Sequence, residues 1–380
     1  MGSKAPPEDF DITTTYIPDH YRELSHNIIK EILIKEIGKY PIEREDALWY
    51  NSEKLELEFA VPKSVDCRVD KETLFYLHGG AYILCSNNTQ RPLYCQLGRE
   101  ANCQVAALNY RLAPEFPFPC ALEDTLAAYL FLISQSTAKC LGMDIDASKI
   151  VIAGDSAGGG LSSSFLILLS QLEEYKMVAG GLLLSPWVDL TSSQPSILTK
   201  NNDYLPEPNS KYGKGYLFIN ELLENTIPSL KEEILSVNGH FYTTEKYLKY
   251  PLVSPMYQNS FDGFPPIMVT VGSEERFEDE IMIFARKIKS HSQTKSNGQQ
   301  VILHHFEDMP HAFQSIEFHP SSIKSIKLCG QFIKHSFSNN IKNNNNGSWA
   351  YKIDNKLNLT PFDYDITNYK VAKAFSLKEA

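Results

Sequence analysis

The sequence predicts an α/β protein built on a mostly parallel sheet with helices on both faces. Three observations carry this. Short runs at 73–77, 105–108, 150–153, 182–184, 267–271 and 301–306 are apolar with little or no alternation, as expected of strands buried on both sides. Helix-compatible stretches at 121–133, 161–172, 278–290 and 320–335 fall between or after them, an alternation that parallel crossovers produce. Residues 150 to 160, IVIAGDSAGGG, then read as strand, sharp turn and helix start, with Ser156 at the apex.

From the N-terminus, residues 1–18 are Pro- and Thr-rich and read as an extended arm. Tyr21, Leu24, Ile28, Ile32 and Ile37 follow at helical spacing, and Gly38 is a natural stop, so 19–37 is an amphipathic helix. Its polar face mixes acids and bases, which favours packing onto the domain over membrane contact. Leu55, Leu57, Phe59 and Val61 alternate as in a strand with one polar face. The core is then divided as 51–190 and 251–337, after an arm and helix at 1–50. Between the two parts, 191–250 is a long insertion rich in aromatics: Tyr204, Tyr212, Tyr216, Phe218, Phe241, Tyr242, Tyr247 and Tyr250. Insertions of this length commonly cover a binding site; a small packed subdomain is the plainer reading. Residues 338–380 form an Asn-rich linker and an extension whose Trp349, Tyr351, Leu357, Phe362 and Tyr369 are too aromatic for a wholly disordered tail.

Composition excludes several classes. A chain of 380 residues with 43% hydrophobic and 22% charged residues is that of a soluble globular protein. The net charge of -10, with no basic run, argues against nucleic-acid partners. No apolar stretch has membrane-spanning length. The N-terminus shows no signal core, and Pro6 stands where a myristoylation motif wants Ser or Thr. The cysteines (Cys67, Cys85, Cys95, Cys103, Cys120, Cys140 and Cys329) are odd in number and lack C-x-x-C spacing. That speaks against zinc or a disulfide framework and for a reducing compartment, the cytoplasm. An anchor preceding this chain would instead hold it at a membrane. Sequons at Asn87, Asn346 and Asn358 arise readily by chance in an Asn-rich chain.

Gly154-Asp155-Ser156-Ala157-Gly158 matches G-x-S-x-G, the nucleophile elbow. Small residues flank the serine because a Cβ there would strike the neighbouring strand or helix, and the following helix aims free N–H groups at an anion forming beside Ser156. Acyl transfer also needs a base, an acid that orients it, and oxyanion donors. His311, after the last core strand and downstream of serine and acid, is the candidate base; His304 and His305 lie within that strand and read as packing or surface residues. The acid should follow 267–271, where Glu274, Glu275 and Asp279 compete; Asp279 suits the start of the next helix. His78-Gly79-Gly80-Ala81-Tyr82 follows a strand, and the N–H groups of Gly79, Gly80 and Ala157 are the expected oxyanion donors.

Taken together, these blocks resemble the hormone-sensitive-lipase-like branch of the α/β-hydrolases, which includes esterases, arylacetamide deacetylases and fungal steryl-acetate deacetylases. The resemblance covers about residues 73–335 and rests also on Tyr110-Arg111-Leu112-Ala113-Pro114-Glu115, Phe116-Pro117-Phe118-Pro119, Ala121-Leu122-Glu123-Asp124, Leu184-Ser185-Pro186-Trp187-Val188-Asp189-Leu190 and Met309-Pro310-His311-Ala312-Phe313. The family's acid motif, D-x-L-x-D-E, matches Glu275-Arg276-Phe277-Glu278-Asp279-Glu280 and singles out Glu275, with Glu in place of Asp. Ala81 replaces the third glycine of H-G-G-G, yet its backbone N–H remains available as a donor. Tyr110, Arg111, Glu123 and Asp124 then read as scaffold for the oxyanion loop.

The resemblance implies an α/β-hydrolase fold with a helical cap formed by the insertion and the N-terminal helix. It implies a serine carboxylic-ester hydrolase with catalytic Ser156, Glu275 and His311, acting through an acyl-enzyme and needing no cofactor or metal. An aromatic cap suits a small ester of short acyl chain and apolar alcohol, such as a steryl or aryl acetate. Two alternatives stand beside this: an amidase or formamidase using the same triad, and a non-catalytic small-molecule receptor on the same fold. The resemblance to steryl-acetate deacetylases implies the endoplasmic reticulum if an anchor precedes this chain, and the oligomeric state stays open.

Overall fold

The computed structural model describes residues 7–42, 54–66, 71–135, 142–205, 240–294, 301–338 and 348–362. Among them a ten-stranded sheet has the order β1-β2-β4-β3-β5-β6-β7-β8-β9-β10. The strands are β1 Phe10–Tyr16, β2 Glu56–Pro62, β3 Thr73–Leu77, β4 Gln104–Asn109, β5 Ile150–Asp155, β6 Gly180–Leu184, β7 Ile267–Gly272, β8 Val301–Phe306, β9 Ala350–Ile353 and β10 Leu359–Pro361. From β4 through β9 neighbouring strands are parallel, and β1, β2 and β10 add antiparallel edges.

The helices are α1 Asp19–Ile37, α2 Asn87–Ala101, α3 Cys120–Ile133, α4 Ala157–Gln171, the single turn α5 Ser196–Thr199, α6 Glu278–Thr294 and α7 Pro320–Phe337. Side chains alternate across each strand, so β3 sends Leu74 and Tyr76 into the layer with α2 and α7. Phe75 and Leu77 enter the opposite layer with α1, α3, α4 and α6. Both faces of the central strands are thus dry, which is why their sequences lack a polar face.

The sequence reading needs three corrections. The arm at 1–18 contains β1, which pairs along its whole length with β2. A helix unmarked in the sequence, α2, starts with a reciprocal capping box between Ser86 and Thr89 and carries Pro92 in its interior. The tail after the Asn-rich stretch, which the sequence leaves unplaced, supplies β9 and β10. β9 pairs parallel with β8, and Tyr351 and Ile353 pack with Phe306, Met309 and Phe313 on either side of His311 in sequence. Residues 301–306 are therefore not the last strand. The Asn-rich 339–347, together with Tyr212, Tyr216, Phe218 and Tyr369, lies outside the described residues.

α1 follows the expected bounds and ends at Gly38 in the left-handed region. It packs on α3, where the Ser25 hydroxyl donates to the Glu123 carbonyl at 2.6 Å and Tyr40 donates to the Glu123 carboxylate at 2.6 Å. Of the insertion, Phe241, Tyr242 and Tyr247 are buried in the main core, and Tyr242 stacks on Tyr82 of the loop after β3 with centroids 3.9 Å apart.

Candidate active site

The parallel strands bring their carboxyl ends to one edge, where the loops after β3, β5, β6, β7 and β8 meet. Ser156 sits between β5 and α4 with φ 52° and ψ -121°, a strained conformation that lifts its hydroxyl off the sheet. Its N–H donates to the Leu184 carbonyl at 2.9 Å, and its own carbonyl accepts from Trp187 at 2.9 Å. The flanking glycines are sterically required. A Cβ on Gly154 would lie 2.4 Å from the Gly158 backbone, and one on Gly158 would lie 2.0 Å from the Leu77 carbonyl oxygen.

His311 lies on the loop after β8. Its Nε2 is 2.8 Å from the Ser156 Oγ and its Nδ1 is 3.1 Å from the Glu275 Oε2. An ionised carboxylate only accepts, so Nδ1 carries the proton and Nε2 is left to receive one from serine. Glu275 Oε1 accepts from the Gly272 N–H at 2.6 Å and from the Ser185 hydroxyl at 2.5 Å. Ser185 in turn accepts the Ala312 N–H at 3.1 Å, so one hydroxyl ties the acid to the base's own loop. Glu274, the competing carboxylate, bonds Asn202 at the surface. Asp279 exchanges hydrogen bonds with Ser196, through its carboxylate at 2.8 Å and its N–H at 3.1 Å. Glu280 accepts the N–H groups of Val188 and Asp189, fixing the Ser185-Pro186-Trp187 loop against α6.

Burial raises the Glu275 carboxyl above its ordinary value, partly countered by its bonds to His311, Ser185 and Gly272. For His311, burial disfavours the cation, but the bond to Glu275 and the charges of Glu275, Asp203 and Asp155 outweigh it, and the net direction is upward. An imidazole held this way is a stronger base than a free one. His304 and His305 are both buried: burial pushes His304 down to about 4, and His305 bonds Glu278 at 2.7 Å, away from Ser156.

The oxyanion loop needs one correction. Gly79 is not an open donor, because its N–H bonds the Asp155 Oδ1 at 2.9 Å. Asp155 also accepts the Tyr76 hydroxyl at 2.6 Å and is buried against the loop, so a Cβ on Gly79 would lie 2.3 Å from its Oδ2. The N–H groups of Gly80, Ala81 and Ala157 have no protein acceptor among the described residues, which leaves them available as donors. Gly80 has φ +112°, and Ala81 and Tyr82 also have positive φ, the kind of turn whose successive N–H groups can make an anion-binding concavity. The His78 Nδ1 lies 2.7 Å from the Gly79 carbonyl, which only accepts, so Nδ1 carries the proton. This bond fixes the peptide that supplies the Gly80 N–H. Burial pushes His78 down to about 4, so it stays neutral.

Of the expected scaffold residues, Tyr110 contacts this loop directly, whereas Arg111, Glu123 and Asp124 bond one another beside it. Tyr110 stacks on His78 with centroids 4.2 Å apart and donates to its carbonyl at 2.6 Å. Arg111 forms a bidentate pair with Asp124 at 2.7 and 2.8 Å and reaches Glu123 at 3.4 Å. Sequence reasoning missed Ser185 and the acceptor role of Asp155. Both stand inside recognised blocks, but their partners lie 90 and 76 residues away. No cluster of three or more possible metal ligands occurs among the described residues.

This edge, with its strand order and elbow, defines a class, and comparison agrees with it. A profile of the α/β-hydrolase fold matches residues 74–315, and the chain belongs to that family. Among curated proteins it is 30% identical to an acetyl-hydrolase of Streptomyces hygroscopicus over 284 residues, covering 72% of this chain and 79% of that one. It is 32% identical to an esterase of Acinetobacter venetianus over 217 residues, covering 57% of this chain and 61% of the relative. Among solved structures, an esterase from the bacterial hormone-sensitive lipase family superposes with a TM-score of 0.61 at 26% identity, covering 88% of this chain and 87% of that one.

Proposed function

We propose that this chain is a serine carboxylic-ester hydrolase acting through an acyl-enzyme on short-chain, chiefly acetyl, esters of apolar alcohols. The observation that carries the reading is the continuous chain from Ser156 Oγ to His311 Nε2 at 2.8 Å and from His311 Nδ1 to Glu275 at 3.1 Å. Ser156 attacks the ester carbonyl while His311 takes its proton, and the N–H groups of Gly80, Ala81 and Ala157 receive the oxyanion. His311 then protonates the leaving alcohol. In the second half it activates water to release the acid. Glu275 orients the imidazole and stabilises its cation throughout.

The acyl preference is supported by relatives named acetyl-hydrolase and, in Pseudomonas putida, ethyl acetate hydrolase. The insertion acts as a cap: Tyr242 stacks on Tyr82 of the oxyanion loop, and the exposed Tyr204 ring stands 6.0 Å from His311. The exposed Tyr204 ring favours an apolar alcohol such as a sterol or an arene, while the buried Tyr242 and Tyr82 rings serve packing. The test is a p-nitrophenyl ester series of increasing acyl length, followed by steryl and aryl acetates, with Ser156→Ala beside the parent. Fastest turnover of acetates, lost in Ser156→Ala, is expected. A preference for long-chain acylglycerols would overturn the substrate reading, and turnover retained by Ser156→Ala would overturn the mechanism.

A further inference from the structure

We infer that Asp203 is a positioning residue for His311, through which the first part of the insertion sets the geometry of the triad. Asp203 lies just before the insertion's undescribed part and is 9% exposed. Its Oδ1 accepts the backbone N–H of His311 at 3.1 Å, and its Oδ2 accepts the backbone N–H of Arg276 at 2.8 Å. Those N–H groups belong to the base itself and to the residue after the acid. One carboxylate thus spans both loops whose separation fixes the His311 to Glu275 bond.

The clamp is reciprocal. The Arg276 side chain donates to the carbonyls of Ile197 at 2.7 Å and Leu205 at 3.0 Å, on either side of Asp203. The exchange between Ser196 and Asp279 fastens the start of the same segment. His311 is therefore held twice. From the core, Ser185 binds Glu275 and the Ala312 N–H; from the insertion, Asp203 binds the His311 N–H. A neutral acceptor would satisfy one N–H, whereas a carboxylate takes both through charge-assisted bonds and adds negative charge near the imidazole. The charged groups facing His311 are Glu275, Asp203 and Asp155, and the rings against it are Phe277 at 5.0 Å and Tyr204 at 6.0 Å.

The inference rests on the triad reading, and its test separates the two. Asp203→Asn keeps shape and one acceptor but loses the charge and the second acceptor. With p-nitrophenyl acetate, kcat is expected to fall about 10- to 100-fold with KM within about threefold, because small displacements of a catalytic group act on the chemical step. The His311 titration, followed by NMR on histidine-labelled protein, is expected to move to lower pH, as is the acid limb of kcat/KM. Asn202→Ala, at the neighbouring surface contact, leaves both unchanged. Parental kcat and titration in Asp203→Asn, with native near-UV circular dichroism, overturn the inference. So does a loss of kcat with an unmoved titration, which marks a merely structural role. If Asp203→Asn does not fold, Asp203→Glu decides. Its longer side chain displaces both N–H contacts while keeping the charge, so kcat falls at least about fivefold; parental kcat overturns the inference. If the parent hydrolyses no ester, the proposed function fails, while the His311 titration still reads the Asp203 contact.

Discussion

Replacing Glu275 by Gln tests the acid assignment through proton placement. In the parent, Glu275 Oε2 faces His311 Nδ1 at 3.1 Å, and Oε1 is held by two donors, Ser185 and Gly272. A glutamine satisfies those two donors only by placing its amide oxygen there, which turns its NH2 toward His311. Nδ1 must then accept, the imidazole proton moves to Nε2, and the atom facing Ser156 becomes a donor unable to take the serine proton. The opposite flip would leave two buried donors facing an NH2. A triad with the wrong tautomer loses about 10⁴ in kcat, equivalent to ~5.5 kcal/mol of transition-state stabilisation. Here we expect a loss of about 10³- to 10⁴-fold in kcat for p-nitrophenyl acetate, with KM changed little, since the acid does not touch the substrate. Glu275→Asp keeps the charge but retreats by one methylene, and a loss of about 10- to 100-fold is expected from the lengthened bond. A loss under about tenfold in Glu275→Gln, or an equal loss in Glu274→Gln, would refute the reasoning.

Three further outcomes follow from the same geometry. His311 and Glu275 are both shifted upward from ordinary values of 6.5 and 4.5, so the folded state holds their protons more tightly than the unfolded chain does. Their contribution to stability is present at low pH and lost as pH rises through the folded values, whereas kcat/KM rises over that window as His311 deprotonates; urea melts and pH–rate profiles should therefore run in opposite directions. Gly158→Ala places a Cβ 2.0 Å from the Leu77 carbonyl oxygen and should destabilise the fold by more than about 2 kcal/mol in denaturant melts, with loss of activity. Ile353→Ala removes a buried side chain packed with Phe306, Met309 and Phe313, and should cost about 2–5 kcal/mol in the same melts, although residue 353 lies far along the chain from the elbow.

Legibility followed physics. β3 was readable to the residue because its buried apolar run lies between Glu72 and His78, and β8 because its apolar start, Val301 to Leu303, continues to Phe306 before Glu307. The elbow was readable because its glycines are sterically forced. α2 was obscured by Pro92 and by a first turn of Asn87, Asn88, Thr89 and Gln90, although its Ser86/Thr89 capping box is a local signal. β1 is rich in threonine and exposed along much of its length, so it carried little hydrophobic pattern. β9 is four residues long and owes its place to pairing with β8, a long-range contact without a local signature. Motif and chain order singled out Ser156, His311 and Glu275, and the fold brings these three side chains within hydrogen-bond distance of one another. Which N–H of the Gly79-Gly80-Ala81 turn stands open was not legible, because that depends on the Asp155 carboxylate arriving from another strand.

The most direct test of the central claim is a rapid-mixing experiment with p-nitrophenyl acetate, followed by acid quench and peptide mass analysis. The account predicts a burst of nitrophenol stoichiometric with enzyme and a single acetyl group on the peptide containing Ser156, both absent in Ser156→Ala. Turnover without an acetylated intermediate in quenched samples, or an acetyl group on a residue other than Ser156, would contradict it.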